Sequence, residues 1–288
     1  LIQLHFSRQG GHDFDMAKRV RTKPFNRKRN SGSRGAEAKA MGSRARQQDK
    51  AMPQQQFGAE TFRYFDLAHK NRFNPDWFLR NRETYETHVR MPMESLVLKI
   101  AHSLGRQLER IDIEPSRVCR PVRPANRATE LGAVKSFSHF TLWEKKTSLF
   151  EWNPGIHFQI GHKPDDCLAG VGLYMVSSRQ LSRLREAVTS DTRTLEKHLR
   201  SRRMQTRWGE LLGDRYKRFP KGYSEDQVGA EFLWHKQFYI GQQFNRKKVT
   251  SRGFADQLVE DLRIALPFFN WVRGAVGTYS ERRGLDRN

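Results

Sequence analysis

Only two cysteines, Cys119 and Cys167, occur in 288 residues. That scarcity excludes a disulfide scaffold and a Cys-rich zinc module. No apolar run approaches the roughly 18 residues of a membrane span, and no charged stretch followed by an apolar core and a cleavage site opens the chain. The expectation is therefore a protein with no membrane association, in a reducing cytoplasm. Chemical signatures are equally sparse. The ten His are scattered, with no His-x-Glu-x-His or His-Glu-x-x-His spacing, so no metal site is expected. No Gly-x-Ser-x-Gly elbow, Gly-x-Gly-x-x-Gly turn or Walker motif occurs, which leaves hydrolase and dinucleotide readings without warrant and names no cofactor. Acidic residues are also few: 31 Asp and Glu face 53 Lys and Arg, a net charge of +22. Hydrophobic residues are 36% of the chain, low for one compact domain, while aromatics are 11%, high for a disordered one. A real core carrying a polar appendage fits both figures.

The charge is uneven. Residues 1–56 carry 13 Lys or Arg against 4 acidic residues, and few large apolar residues follow Phe25. Such a segment cannot bury enough apolar surface to offset its ordering entropy, so it reads as a disordered basic leader. Lys18 to Arg29 has the charge of a nucleic-acid-binding tail, with salt-dependent affinity. The competing readings are a solvated tail without a partner, or sequence upstream of a true start at Met52, directly before the first amphipathic pattern. In that case the chain keeps 40 basic and 27 acidic residues, a net of +13.

From Phe57 the periodicity becomes structural. Phe62, Phe65 and Ala68 predict a helix over 59–69. Asn74-Pro75-Asp76 has the cap, first-turn proline and acidic residue of a second helix start. Pro92 is expected to break or kink that helix. Leu96, Ile100, Leu104 and Leu108 mark a third helical stretch. Between Val118 and Val176 the period falls towards two, with strands expected at 117–122, 135–143, 156–161 and 168–176. Ser177-Ser178 caps a helix near 179–189, and further helices are expected near 191–212 and 225–232. A strand follows at 234–241, then a helix over 251–265 that Pro267 interrupts. Helices, then strands, then helices define an α+β fold: one domain over 57–276, with a mostly antiparallel sheet packed by N- and C-terminal helices, and a flexible tail over 277–288. No internal repeat is present.

Several stretches carry a family resemblance. Asn71-Arg72 with Trp77-Phe78, Asn81, Tyr85-Glu86 and Val89-Arg90 resembles the N-terminal signature of the bacterial domain-of-unknown-function family 2461. Gly172-Leu173-Tyr174 is similar to that family's Gly-x-Tyr strand, and Arg218-Phe219-Pro220-Lys221-Gly222-Tyr223 to its Arg-x-Pro-Lys-Gly-Phe segment. Leu233, Lys236 and Phe238 match the pattern that follows. The resemblance covers about residues 57–272. The family's central stretch ending near Thr-Pro-Tyr-Lys is replaced by Arg120-Pro121-Val122-Arg123 through Trp143-Glu144-Lys145-Lys146, as in a divergent subgroup. The resemblance implies a bacterial cytosolic single-domain α+β protein and no established activity.

Three constellations are candidates for chemistry. Glu144, Lys145, Lys146, Glu151, Trp152, His157 and Gln159 fall close together around the turn residues Asn153-Pro154-Gly155. His157 and Gln159 share one strand face, and Lys145 and Lys146 lie across from them if 143–155 is a hairpin connection. Such a set suits a phosphate, carboxylate or nucleotide, with His157 as a candidate general base oriented by Glu151 or Glu144. The competing reading is a solvated outer sheet face. The second candidate is Tyr216 to Tyr223. Lys217, Arg218 and Lys221 gather there, and Gly222 allows a weak anion nest. Alternatively Phe219 and Tyr223 anchor a turn whose cations stay in water. The third is the Arg120, Arg123, Arg127 array, read either as an anion grip or as surface arginines pairing with Glu114 or Glu130. Lys236 and His235 point to opposite faces of the late strand, so only one enters a common site. Tyr174 is a core residue or a pocket donor. Asp165-Asp166 reads as a solvated turn pair, and both cysteines as small buried residues.

The function expected from these residues is a basic pocket for a small anionic ligand, lined by Lys145, Lys146, Gln159, Tyr174, Lys217, Arg218, Lys221 and Lys236. Whether it is catalytic stays open. The alternative is nucleic-acid binding through a basic surface and tail.

Overall fold

A computed structural model describes residues 55–144 and 152–277. The leader up to residue 54, the tail beyond residue 277, and Lys145, Lys146 and Glu151 lie outside the described residues.

Helix α1 spans Ala59–Lys70 and buries Thr61, Phe62, Tyr64, Phe65 and Ala68 on one stripe. Thr61 ties its start down, accepting the Gly58 N–H at 3.1 Å and donating to the His88 carbonyl at 2.6 Å. Helix α2, Pro75–Arg80, begins as expected: Asn74 accepts the Trp77 N–H at 3.2 Å and Pro75 fills the first turn. Helix α3, Arg82–Tyr85, passes through a π-helical turn, Glu86–Arg90, into α4, Met91–Leu104. Pro92 was expected to break or kink this stretch; the helix is not broken, and its irregularity is the π-helical turn just before Pro92. Pro92 lies in the first turn of α4, where its missing N–H costs little, and the preceding wide turn accommodates its ring.

Residues 105–136 are irregular. The strand expected at 117–122 is reduced to single bridges, Val118 to Phe140 and Val122 to Val134. Pro115, Pro121 and Pro124 break up the donor pattern that a continuous strand needs. Arg123 organises this region. It is buried, and its Nη1 donates to the carbonyls of Gly132 at 3.1 Å and of Leu131 and Val134 at 3.4 Å.

The sheet contains β1 (Phe137–Trp143), β2 (Gly155–Gly161), β3 (Leu168–Leu173) and β4 (Phe238–Gln243), all antiparallel and in that spatial order. Between β3 and β4 run α5 (Ser178–Leu199), α6 (Arg202–Arg207) and α7 (Ala230–Leu233). The Ser177–Gln180 capping box starts α5, and a kink at Asp191 bends it where two separate helices were expected. After β4 come α8, Arg246–Val249, and α9, Phe254–Val276. Pro267 lies inside α9 without ending it, because the helix is buried on both sides of it, through Leu262 and Ala265 before and Phe268, Phe269 and Val272 after. Burial of the last three side chains at about 1.5–3 kcal/mol each outweighs the cost of roughly 3 kcal/mol for an internal proline.

One core results. Phe140, Leu142, Ile156, Phe158, Ile160, Val171, Leu173, Phe238 and Ile240 fill the inner sheet face, and α9 packs against β3, α4 and α5. Buried Asp261 of α9 joins three elements. It accepts from Gln242 of β4 at 3.2 Å and Gln257 at 2.9 Å, pairs with Arg207 of α6 at 3.4 Å, and its carbonyl takes the Trp208 indole N–H at 2.8 Å. The fold is α+β. Among the described residues no helix is long and apolar enough to cross a membrane.

Candidate functional site

Strand alternation sends the even residues of β1 and β2 into the core and the odd ones to the opposite face. The register then builds rows across that outer face. One row is Trp143, Gly155, Gly172 and Tyr239. The next is Thr141, His157, Gly170 and Gly241, and the third is His139, Gln159, Leu168 and Gln243. His157 is thus followed by two residues without side chains. Gly170 and Gly241 bring no side chain to this row, both are buried, and Tyr239 lies on one side of it with Leu168 and Gln243 on the other. Gly172 carries a further constraint. Its φ is +125°, and an added Cβ would run into the Phe238 carbonyl oxygen.

His157 is held by its neighbour on β1. Its Nδ1 lies 2.8 Å from Thr141 Oγ1, and its ring centroid is 5.4 Å from that of His139. Burial, and secondarily the adjacent His139, pushes its pKa from the ordinary 6.5 down to about 3. It is a neutral imidazole at physiological pH. The expected orienting Glu151 lies outside the described residues.

Gln159 is on the same face. Its Nε2 donates to Asp166 Oδ1 at 3.4 Å. Asp166 also accepts the Lys163 N–H at 2.9 Å, and burial raises its pKa, so it is a structural acceptor rather than half of a solvated turn pair. Tyr174, just past β3, is not a core residue. It is exposed, with its ring set edge-on to Tyr239 at 5.2 Å. Burial raises the Tyr239 hydroxyl well above its usual range. Of the cysteines, Cys167 is buried and burial pushes its thiol up to about 11, while Cys119 is half-buried and accepts the His139 N–H at 3.4 Å.

The basic segment lies along the other side of β4. Backbone bonds from Leu212 to Tyr239, Lys236 to Asp214 and Tyr216 to Trp234, each 2.8 Å, run residues 212–216 antiparallel to 234–239. Phe219 packs edge-on against Trp234 at 5.2 Å, and Pro220 is buried. Lys217, Arg218 and Lys221 remain exposed. The anchors turn inward and the cations stay outside, as amphipathic physics directs. Lys236 and Arg185 both face the Tyr216 ring, at 5.3 and 4.9 Å. His235 takes the inward direction. It is buried beside Arg215 at 3.4 Å, and burial followed by that guanidinium lowers its pKa to about 4.

The structure therefore unites His157, Gln159, Tyr174 and Tyr239 on one sheet face. It sets Lys217, Arg218, Lys221 and Lys236 along a neighbouring edge, with no direct contact between the two groups among the described residues. Thr141 and His139, the partners of His157, were not singled out by sequence. Their signal was the alternation Phe137-x-His139-x-Thr141 on the preceding strand, whose register no sequence pattern fixes. Among the described residues no cluster of three or more His, Cys, Asp or Glu is arranged to hold a metal ion.

A small α+β protein with a polar, glycine-containing sheet face is the class that this geometry defines. The chain belongs to the conserved hypothetical protein family DUF2461, whose model matches residues 60–271. No curated protein matches the chain, and no solved structure does.

Proposed function

We propose that the outer sheet face binds a small anionic ligand bearing a phosphate or carboxylate group. The observation that carries this reading is the row Thr141, His157, Gly170, Gly241: a positioned neutral imidazole next to two buried residues without side chains. His157 and Gln159 supply hydrogen-bonding groups, and Tyr174 borders the face. Lys217, Arg218, Lys221 and Lys236 contribute an attractive field along the neighbouring edge. Lys145 and Lys146 follow Trp143 at the end of β1 in sequence and lie outside the described residues. An imidazole lowered to about 3 is poorly matched to proton transfer near neutrality, which favours a binding role for His157 over general-base catalysis. Two free thiols are compatible with a reducing cytoplasm, the setting that the reading assumes for a bacterial protein.

The test is the His157 imidazole NMR signal during titration with inorganic phosphate and with citrate. A saturable shift that Gly170→Val abolishes supports the reading. No shift at about 20 mM ligand, where even millimolar affinity saturates, sinks it. A second reading, nucleic-acid binding, draws on the exposed Lys217, Arg218 and Lys221 beside Tyr216. It requires duplex or single-strand affinity that falls steeply with salt and weakens in Lys217→Ala/Lys221→Ala.

A further inference from the structure

A second polar constellation lies just beyond the Gly161 end of β2 and the Gln243 end of β4. Asp66 of α1 receives a two-pronged guanidinium contact from Arg246 of α8, with Nη1 to Oδ2 at 3.0 Å and Nη2 to Oδ1 at 2.7 Å. His162, in the β2–β3 connection, adds its Nδ1 at 2.8 Å from Asp66 Oδ1, and its carbonyl accepts Arg246 Nη2 at 2.6 Å. The His162 ring stacks on His69 at 4.1 Å. Arg246 also lies over the Phe62 ring at 4.9 Å. The guanidinium is thereby fixed in place, a preorganised donor rather than a swinging surface arginine.

Beside it runs a groove of about 520 Å³ between α1 and α8. Arg63, Lys70, Arg246 and Lys247 line it, and Asp66 is its one carboxylate. That carboxylate is saturated by Arg246 and His162. Of the five guanidinium donors of Arg246, three are engaged, leaving Nε–H and one Nη1–H without a partner among the described residues. Among the described residues the Lys70 and Lys247 side chains make no ion pair or hydrogen bond, and the Glu60 contact of Arg63 is long at 3.5 Å. Arg246 and Asp66 neutralise each other, the remaining cations Arg63, Lys70 and Lys247 repel one another, and an anion in the groove relieves that repulsion.

We infer that the α1–α8 groove is a binding site for a small phosphate-bearing ligand, gripped by Arg246, Lys70 and Lys247 with Arg63 at its margin. The volume suits a compact phosphate ester or diphosphate, within the range of small-ligand sites. This site is separate from the sheet face, and neither reading depends on the other.

Calorimetric titration of the full chain with inorganic pyrophosphate, in chloride buffer of low ionic strength, tests it. Saturable binding is expected, weakened at least tenfold in Lys70→Ala/Lys247→Ala. The component that depends on Lys70 and Lys247 should persist in His157→Gln, and Arg202→Ala/Arg203→Ala, exposed on α6, should leave binding unchanged. The lysine pair is exposed, and an unaltered circular dichroism spectrum and melting temperature show that the double variant folds. Absence of binding at millimolar pyrophosphate overturns the inference, as does binding lost with His157 or Lys217/Lys221 and retained without Lys70 and Lys247. A third arm uses a DNA duplex: affinity for the duplex that needs Lys70 and Lys247, without affinity for pyrophosphate, also overturns it in favour of a nucleic-acid surface.

Discussion

Thr141 and His157 face each other across the β1–β2 pair, and the hydroxyl of one meets Nδ1 of the other at 2.8 Å. This contact orients a neutral ring, and its first consequence is a dependence of stability on pH. Native His157 has a pKa near 3, below the ordinary 6.5 that the unfolded chain recovers. Below about 6.5 the unfolded state takes up a proton that the native state refuses, so stability falls as pH drops towards about 3 and levels below it. In His157→Gln the decline of melting temperature between about pH 6.5 and 4 should be shallower than in the parent chain. An identical slope in both proteins contradicts the buried neutral imidazole.

Gly172 makes a local demand of another kind. Its left-handed φ and the proximity of the Phe238 carbonyl leave no room for a methyl group. Gly172→Ala should destabilise by about 1–3 kcal/mol, read from the midpoint shift in urea, with β3–β4 amides the first to lose protection from exchange.

Asp66 gives the opposite pH sign to His157. Hydrogen bonding to Arg246 holds its carboxyl down at about 2, against 3.8 for the ordinary group. Its stabilising contribution is complete above about 3.8 and disappears as pH falls through about 2. Because Asp66 and Arg246 are each more than a third exposed, solvent screening limits the effect, and Asp66→Asn should cost about 1 kcal/mol at neutral pH in low salt. Urea unfolding at several chloride concentrations should show that difference shrinking as salt rises.

Asp261 should matter more. It is buried and receives Gln242, Gln257 and Arg207 from three elements. Asp261→Ala leaves two amide donors and a guanidinium without their acceptor, a loss of about 2 kcal/mol or more by chemical denaturation. Asp261→Asn, which keeps one acceptor oxygen, should recover part of it.

Much of the architecture was legible in the chain. The helices with strong stripes and caps, such as α1 at Phe62 and Phe65 and α2 at Asn74-Pro75, declare themselves through local chemistry. So does the alternation of Ile156, Phe158 and Ile160. Pro92 misled in part and Pro267 outright, because a proline rule describes a local cost and both helices are held by packing from distant elements. The 117–122 segment misled in the other direction, its apolar residues forming bridges rather than a strand. For the site, His157 and Gln159 were readable from period two alone. Their relation to Thr141, Gly170 and Gly241 depends on strand register, which is a property of the assembled sheet. The Asp66–His162–Arg246 contact joins residues 96 and 180 positions from Asp66 and left no local trace.

The strand order carries a kinetic consequence. β1, β2 and β3 follow one another through hairpin connections, whereas β3 ends at Leu173 and its partner β4 begins only at Phe238. Closing that excursion requires α5 to collapse first, because loop-closure entropy opposes pairing until the intervening helices are compact. During folding the β3 edge therefore waits, its apolar Leu168, Val171 and Leu173 backbone open to any other extended strand. The arrival of β4 ends that interval, so the protein's exposure to misassembly is set by how fast the helical excursion condenses.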